Sequence, residues 1–181
     1  SFRLTGLGST LVNGQRGPVE LAGVTGTVSI ALSDGDDAVM FDGGMDRLTL
    51  PGGLLLSMGG GNDTVQADHT IVSGRARIDT DTTNARDRDQ DDTGDAHAAR
   101  AAGELNGADS VTVTNVSFLG TVSVRTGRGT DLLIVDNCRF IGSVSVWTGS
   151  GADLILVERG DATGAFVPEF NAPTHLRTGP E

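Results

Sequence analysis

Two adjacent stretches carry one pattern: GTVSVRTGRGTDLLIVDNCRFI, starting at Gly120, and GSVSVWTGSGADLILVERGDAT, starting at Gly142. Gly120 aligns with Gly142, Val122 with Val144, Val124 with Val146, Gly127 with Gly149, Gly129 with Gly151 and Asp131 with Asp153, a period of 22 residues. A fixed period of this size marks a solenoid, because one repeat cannot bury its own apolar face and must stack on the next. Within the period, Val and Leu alternate with polar residues, a Gly-rich turn intervenes, and alternation resumes. Alternation at period two gives a strand with one face inward. The unit therefore reads as strand, turn, strand, turn, short strand, which is one coil of a parallel β-helix.

The register extends in both directions. Gly52 to Asp63 (GGLLLSMGGGND) fits the template with Leu54 and Leu56 inward, and Gly26 to Asp37 (GTVSIALSDGDD) fits with Val28 and Ile30 inward. Between them a turn near Gly43 and Gly44 adds four residues, and the coil beginning at Gly74 has its Gly-Asp turn stretched by 24. The expected fold is all-β: a right-handed parallel β-helix of about five coils of 22 residues with one long loop insert. Handedness here rests on the crossover rule for parallel strands. The chain reads as a single domain over 1–181, with an N-terminal cap at 1–25, coils over 26–164, an acidic insert at 81–104 and a C-terminal cap and tail at 165–181. In that tail the phenylalanines Phe166 and Phe170 read as a lid.

Composition agrees. The chain has 27 Gly, no Tyr and no Lys, which suits aliphatic ladders with glycine at the corners. A formal charge of −11 argues against a nucleic-acid partner, which would call for a basic stripe. Cations and cationic surfaces remain as partners, as does a polysaccharide or protein. No apolar run is long enough to span a membrane. One Cys excludes an internal disulfide, and Cys138, in the column of Val116, reads as a buried inert thiol. Phe118 falls in the column of Phe140, and Asn115 and Asn137 stack at a corner with His69. The chain opens at Ser1 rather than Met, so a processed or excised segment is expected.

One turn recurs at the end of each first strand: SDGDD, GGGNDTV, NGADSV, TGRGTDLL and TGSGADLI, closed by Asp37, Asp63, Asp109, Asp131 and Asp153. It resembles the calcium-binding nonapeptide of RTX (haemolysin-type) repeats, G-G-x-G-x-D-x-U-x, most closely at Gly59 to Val65. The resemblance implies Ca2+ held between stacked turns, with those five aspartates supplying carboxylates to a hard cation. It covers the turns and not the whole coil, since RTX coils carry two such motifs and this chain has one per period. The same Asp can instead close the turn by accepting backbone N–H groups, with no metal. Stacked aspartates about 5 Å apart repel unless one of these neutralises them.

Three further features stand out. Asp87, Asp89, Asp91 and Asp95 in the insert have the D-x-D-x-D opening of an EF-hand-type loop, but Asp92 replaces the turn glycine and Ala98 the bidentate Glu. A solvated acidic loop is the other reading. Arg75, Arg77, Asp79 and Arg125 lie on the outward face of the first strands, with Asp79, Arg125 and Trp147 in one column. Such a face is used by β-helix polysaccharide lyases and epimerases to bind uronates and abstract a proton; the plainer reading is a surface ion pair and an Arg–Trp stack. Leu132, Ile134, Leu154 and Leu156 face outward on the second strands, where earlier coils carry Thr64, Gln66, Ser110 and Thr112. Coverage by the tail, the insert or a second copy is expected there. Together these point to a secreted or cell-surface structural or adhesion-type solenoid module that binds calcium, with a uronate lyase or epimerase as the alternative.

Overall fold

Three corners break each coil into three strands, and stacking converts the strands into three parallel sheets. The computed structural model describes residues 2–4, 19–81, 107–158 and 169–179. β1 (Phe2–Leu4) and β2 (Val19–Leu21) pair antiparallel and precede the solenoid in the chain. The first coil supplies β3 (Val28–Ala31), β4 (Ala38–Asp42) and β5 (Leu48–Leu50). The second supplies β6 (Leu54–Ser57), β7 (Thr64–Asp68) and β8 (Thr70–Val72). The third is β9 (Ala76–Asp79), β10 (Ser110–Thr114) and β11 (Ser117–Phe118). The fourth is β12 (Val122–Arg125), β13 (Leu132–Asp136) and β14 (Arg139–Phe140). β15 (Val144–Trp147), β16 (Leu154–Glu158), β17 (Glu169–Phe170) and β18 (Thr174–Arg177) complete the order.

The first sheet stacks β3-β6-β9-β12-β15-β18, the second β4-β7-β10-β13-β16 and the third β5-β8-β11-β14-β17. The expected all-β parallel solenoid is what forms, with no helix among the described residues. The solenoid makes about four turns, where about five coils were expected.

Register confirms the insertions. Thr64 pairs with Ala38 at a spacing of 26, and Ser110 with Thr64 at 46, while Leu132 follows Ser110 at 22. The extra 24 residues therefore fall between β9 and β10 in the chain without shifting the register on either side. Ladders also run past Gly164, where the repeat pattern ends: β17 pairs with β14 and β18 with β15. The last step is longer than 22, since Val144 pairs with Thr174, and this interruption hid the last rung from a fixed period.

The core is a set of aliphatic columns one side chain wide. Leu56, Ile78, Val124 and Val146 form one, Val65, Val111 and Leu133 another, all under 6% exposed. In the third sheet, Phe118, Phe140 and Phe170 stack with centroids 5.1 and 4.8 Å apart and nearly parallel rings. Parallel in-register strands impose that spacing on any identical pair of side chains. A void of about 20 Å³ lies within the core, lined by Ile78, Val111, Phe118, Leu133 and other apolar side chains. It is too small for an organic ligand.

Candidate functional site

The Gly-Asp corner is built by backbone that only glycine adopts easily. Gly35, Gly61, Gly129 and Gly151 have φ of 134°, 134°, 139° and 132°. A Cβ on Gly129 would fall on the carbonyl oxygen of Gly107, and one on Gly151 on that of Gly129. Stacked corners therefore touch backbone to backbone, and that close approach brings the following aspartates into one column.

Register places Asp37, Asp63, Asp109, Asp131 and Asp153 together, each immediately before its second-sheet strand. Every carboxylate but the first is used in the same way. The N–H of Asp37 donates to Oδ1 of Asp63 at 3.0 Å, and that of Asp63 to Oδ1 of Asp109 at 2.8 Å. The N–H of Asp109 donates to Oδ1 of Asp131 at 3.0 Å, and that of Asp131 to Oδ1 of Asp153 at 3.2 Å. Each acid thus binds the backbone of the acid one rung before it. The second oxygen is met from the side: Thr80 Oγ1 donates to Asp109 Oδ2 at 2.5 Å, and Thr126 Oγ1 to Asp131 Oδ2 at 2.6 Å.

The pattern lapses at identifiable places. Met58 occupies the column of Thr80 and Thr126, so Asp63 Oδ2 has no hydroxyl and is buried without a partner. Thr148 Oγ1 and Asp153 Oδ2 are likewise buried and unpartnered, as is Asp81 Oδ1. Asp81 stands in the column of Gly127, and its Oδ2 accepts the N–H of Arg128 at 3.3 Å. Burial pushes Asp63 up to about 6, with the charges of Asp109 and Asp37 adding to it against the bond from the Asp37 N–H. Burial likewise pushes Asp81 up to about 6. Asp109 and Asp131 are also raised, by burial first, although their threonine hydroxyls oppose the shift. Asp37 is raised by burial and then by the charge of Asp36.

This donor set does not fit a calcium cage. A calcium ion takes six to eight oxygens converging on one point. Here Oδ1 of Asp63, Asp109, Asp131 and Asp153 points along the stack at an N–H group, Oδ2 of Asp109 and Asp131 points sideways at a hydroxyl, and the unpartnered Asp63 Oδ2, Asp81 Oδ1 and Asp153 Oδ2 belong to three different rungs. Turn carbonyls are engaged as well: Gly60 O accepts from Gly35 N–H at 2.7 Å, and Ser150 O from Gly129 N–H at 2.9 Å. Among the described residues, no three His, Cys, Asp or Glu side chains converge as a metal-binding group. The second cation candidate, Asp87, Asp89, Asp91 and Asp95, lies outside the described residues.

The arginine face is partly assembled. Arg77 Nη2 contacts Asp79 Oδ2 at 2.6 Å, and Asp79 is 5% exposed. Arg125 lies 5.6 Å from the centroid of the Trp147 ring, and Arg177 follows Trp147 on the next rung. Arg75, one residue before β9, is exposed.

The remaining columns are structural. His69, Asn115 and Asn137 turn the corner before the third sheet with φ of 46°, 56° and 49°. Asn137 Nδ2 donates to Asn115 Oδ1, and Asn115 Nδ2 to Asp68 Oδ1 at 3.0 Å. Burial raises Asp68, but hydrogen bonds from Asn115 and His69 outweigh it and hold the carboxyl below the usual range. Cys138 is buried, and burial pushes its thiol up to about 12, so it is unreactive. Leu132, Ile134 and Leu156 are half-buried on the outer second sheet, with Leu154 exposed.

Comparison with known proteins finds no family model, no curated protein and no solved structure that matches the chain. The likeness to RTX repeats is therefore carried by the turn residues alone. The pattern T-G-x-G-x-D contained a signal that spacing by itself does not expose: Thr and Asp five apart flank one corner, which is how Thr126 reaches Asp131. Arg177 and His175, which extend the arginine face, lay beyond the repeat and out of register with it.

Proposed function

We propose that this chain is a structural β-solenoid module of the secreted or cell-surface type, a stiff stack whose Gly-Asp edge holds itself together by hydrogen bonds. The observation that carries this reading is the aspartate ladder, in which each carboxylate is bound to the backbone of the neighbouring rung. Such a ladder cross-links coils along the axis in addition to the sheet bonds. Calcium, which the turn resemblance implies, is then not required for the edge to close. The filled core supports a scaffold rather than an enclosed site. Among the described residues no helix is long and apolar enough to cross a membrane.

The competing enzyme reading would use Arg75, Arg77, Asp79 and Arg125 on uronate polymers. Incubation with pectate and alginate separates the two. A structural module leaves polymer length and uronate epimer ratio unchanged. Accumulation of unsaturated uronate ends, or a change in epimer ratio, would overturn the structural reading.

A further inference from the structure

The aspartate ladder repeats one clamp, and its last copy stands open. On each rung the aspartate N–H donates to Oδ1 of the aspartate one rung on. The carbonyl of the same residue accepts the first N–H of the next strand: Thr64 on Asp37, Ser110 on Asp63, Leu132 on Asp109 and Leu154 on Asp131, each at 2.8 Å. Two bonds thus seat an Asp and the residue after it on the rung before. Asp153 ends the column, and among the described residues neither its N–H nor its carbonyl has a partner. The rest of this end is equally unfinished. Among the described residues β16 pairs only with β13, and β18 only with β15. Val135 and Val146 face the core at 6% and 4% exposure, whereas Val157 and Leu176, next in the same columns, are 44% and 48% exposed. Thr148 Oγ1 and Asp153 Oδ2 are buried and unpartnered, while the matching pair one rung earlier, Thr126 and Asp131, is bonded. Along a parallel strand the hydrogen-bonding groups of alternate residues face opposite sides. Leu154 N–H faces β13, so the N–H and C=O groups of Ile155 and Val157 face the open edge.

We propose that this end of the second sheet docks an extended peptide segment of another protein, added to β16 in parallel register. The open clamp selects an Asp: its carboxylate meets the Asp153 N–H while the N–H of the following residue meets the Asp153 carbonyl. Apolar residues at the second and fourth positions after that Asp then cover Ile155 and Val157, as Leu133 and Val135 do from the other side. A second copy of this chain is the poorer occupant. In this column its one carboxylate not bonded to a neighbouring rung is that of Asp37, just before β4. Stacking β4 on β16 would drive β3 into the place that β18 already holds on β15. Docking of this kind goes beyond the scaffold reading and takes from it only the geometry of the ladder.

The probe is the end-capped peptide GADSVTVT, the chain's own Gly107–Thr114, which carries the Asp and both valines and already seats in this way on Asp63. The full chain is titrated with it by calorimetry, and amide hydrogen exchange is read with and without peptide. The expected result is saturable binding, with slowed exchange confined to the amides of Asp153, Ile155 and Val157. The same peptide with Asp109→Ala should bind about tenfold more weakly, a comparison that leaves the chain itself unaltered. Val157→Asp in the chain should abolish binding, with circular dichroism unchanged. Absence of heat at millimolar peptide, equal affinity for the Ala peptide, or protection away from β16 would overturn the proposal. So would a dimer of the chain alone in sedimentation that Val157→Asp dissociates, since a second copy would then hold this end. Absent binding together with a melting temperature indifferent to calcium would remove this proposal and leave the self-bonded ladder standing.

Discussion

Thr126 donates to Asp131 Oδ2 at 2.6 Å from a position with no exposure, so one hydroxyl determines whether a buried carboxylate is satisfied. Thr126→Val keeps the shape and removes the donor. The expected loss is about 1–3 kcal/mol in urea unfolding, the cost of an unmet buried acceptor. Asp131→Asn makes the complementary test. Its Oδ1 still accepts the Asp109 N–H, and its amide can donate to Thr126, so the loss should stay below about 1 kcal/mol. A site that needed the negative charge would fail outright with Asn. At this scale the sequence named the five aspartates and also the two ways of neutralising them. It could not choose between those ways, because the choice depends on where each oxygen points. The lapse at Met58 was likewise visible as a residue but meaningless until its column was known.

Each corner depends on glycine for two separable reasons, and the first rung separates them. Gly35 and Gly129 share the same kind of φ, 134° and 139°. A Cβ on Gly35 would meet nothing within 4 Å, whereas on Gly129 it would strike the Gly107 carbonyl. Gly35→Ala should therefore cost about 1 kcal/mol of backbone strain. Gly129→Ala should cost roughly 3 kcal/mol or more, because rungs must separate. Equal urea midpoints for the two variants would contradict the account of corner packing. The strands themselves were legible: alternation placed Leu54, Leu56, Val28 and Ile30 inward, and the first two are buried while the other two, on the first rung, are partly buried against the same core. β17 and β18 were not, because their offset from the preceding rung breaks the period on which the reading relied.

For the whole molecule, the aspartate column ties stability to pH. The folded values of Asp63 and Asp81, about 6, stand above the ordinary 3.8. Between those values the folded chain holds protons that the unfolded chain does not, so stability rises as pH falls through 6 and levels off near 4. Asp109, Asp131 and Asp37 are shifted in the same direction, while Asp68, held low, withdraws its contribution only below 3.8. The melting temperature should thus be higher at about pH 5 than at pH 7.5, at roughly 2–4 °C per kcal/mol for a chain of this size. A lower value at pH 5 would contradict the burial of these acids. The stacked architecture was legible from a single 22-residue period; whether metal or hydrogen bonds join its rungs was not, since both use the same Gly-x-Asp turn. Thermal unfolding in millimolar calcium and in excess chelator at neutral pH decides it. A self-bonded aspartate ladder predicts the same melting temperature in both, and a marked rise with calcium would contradict it.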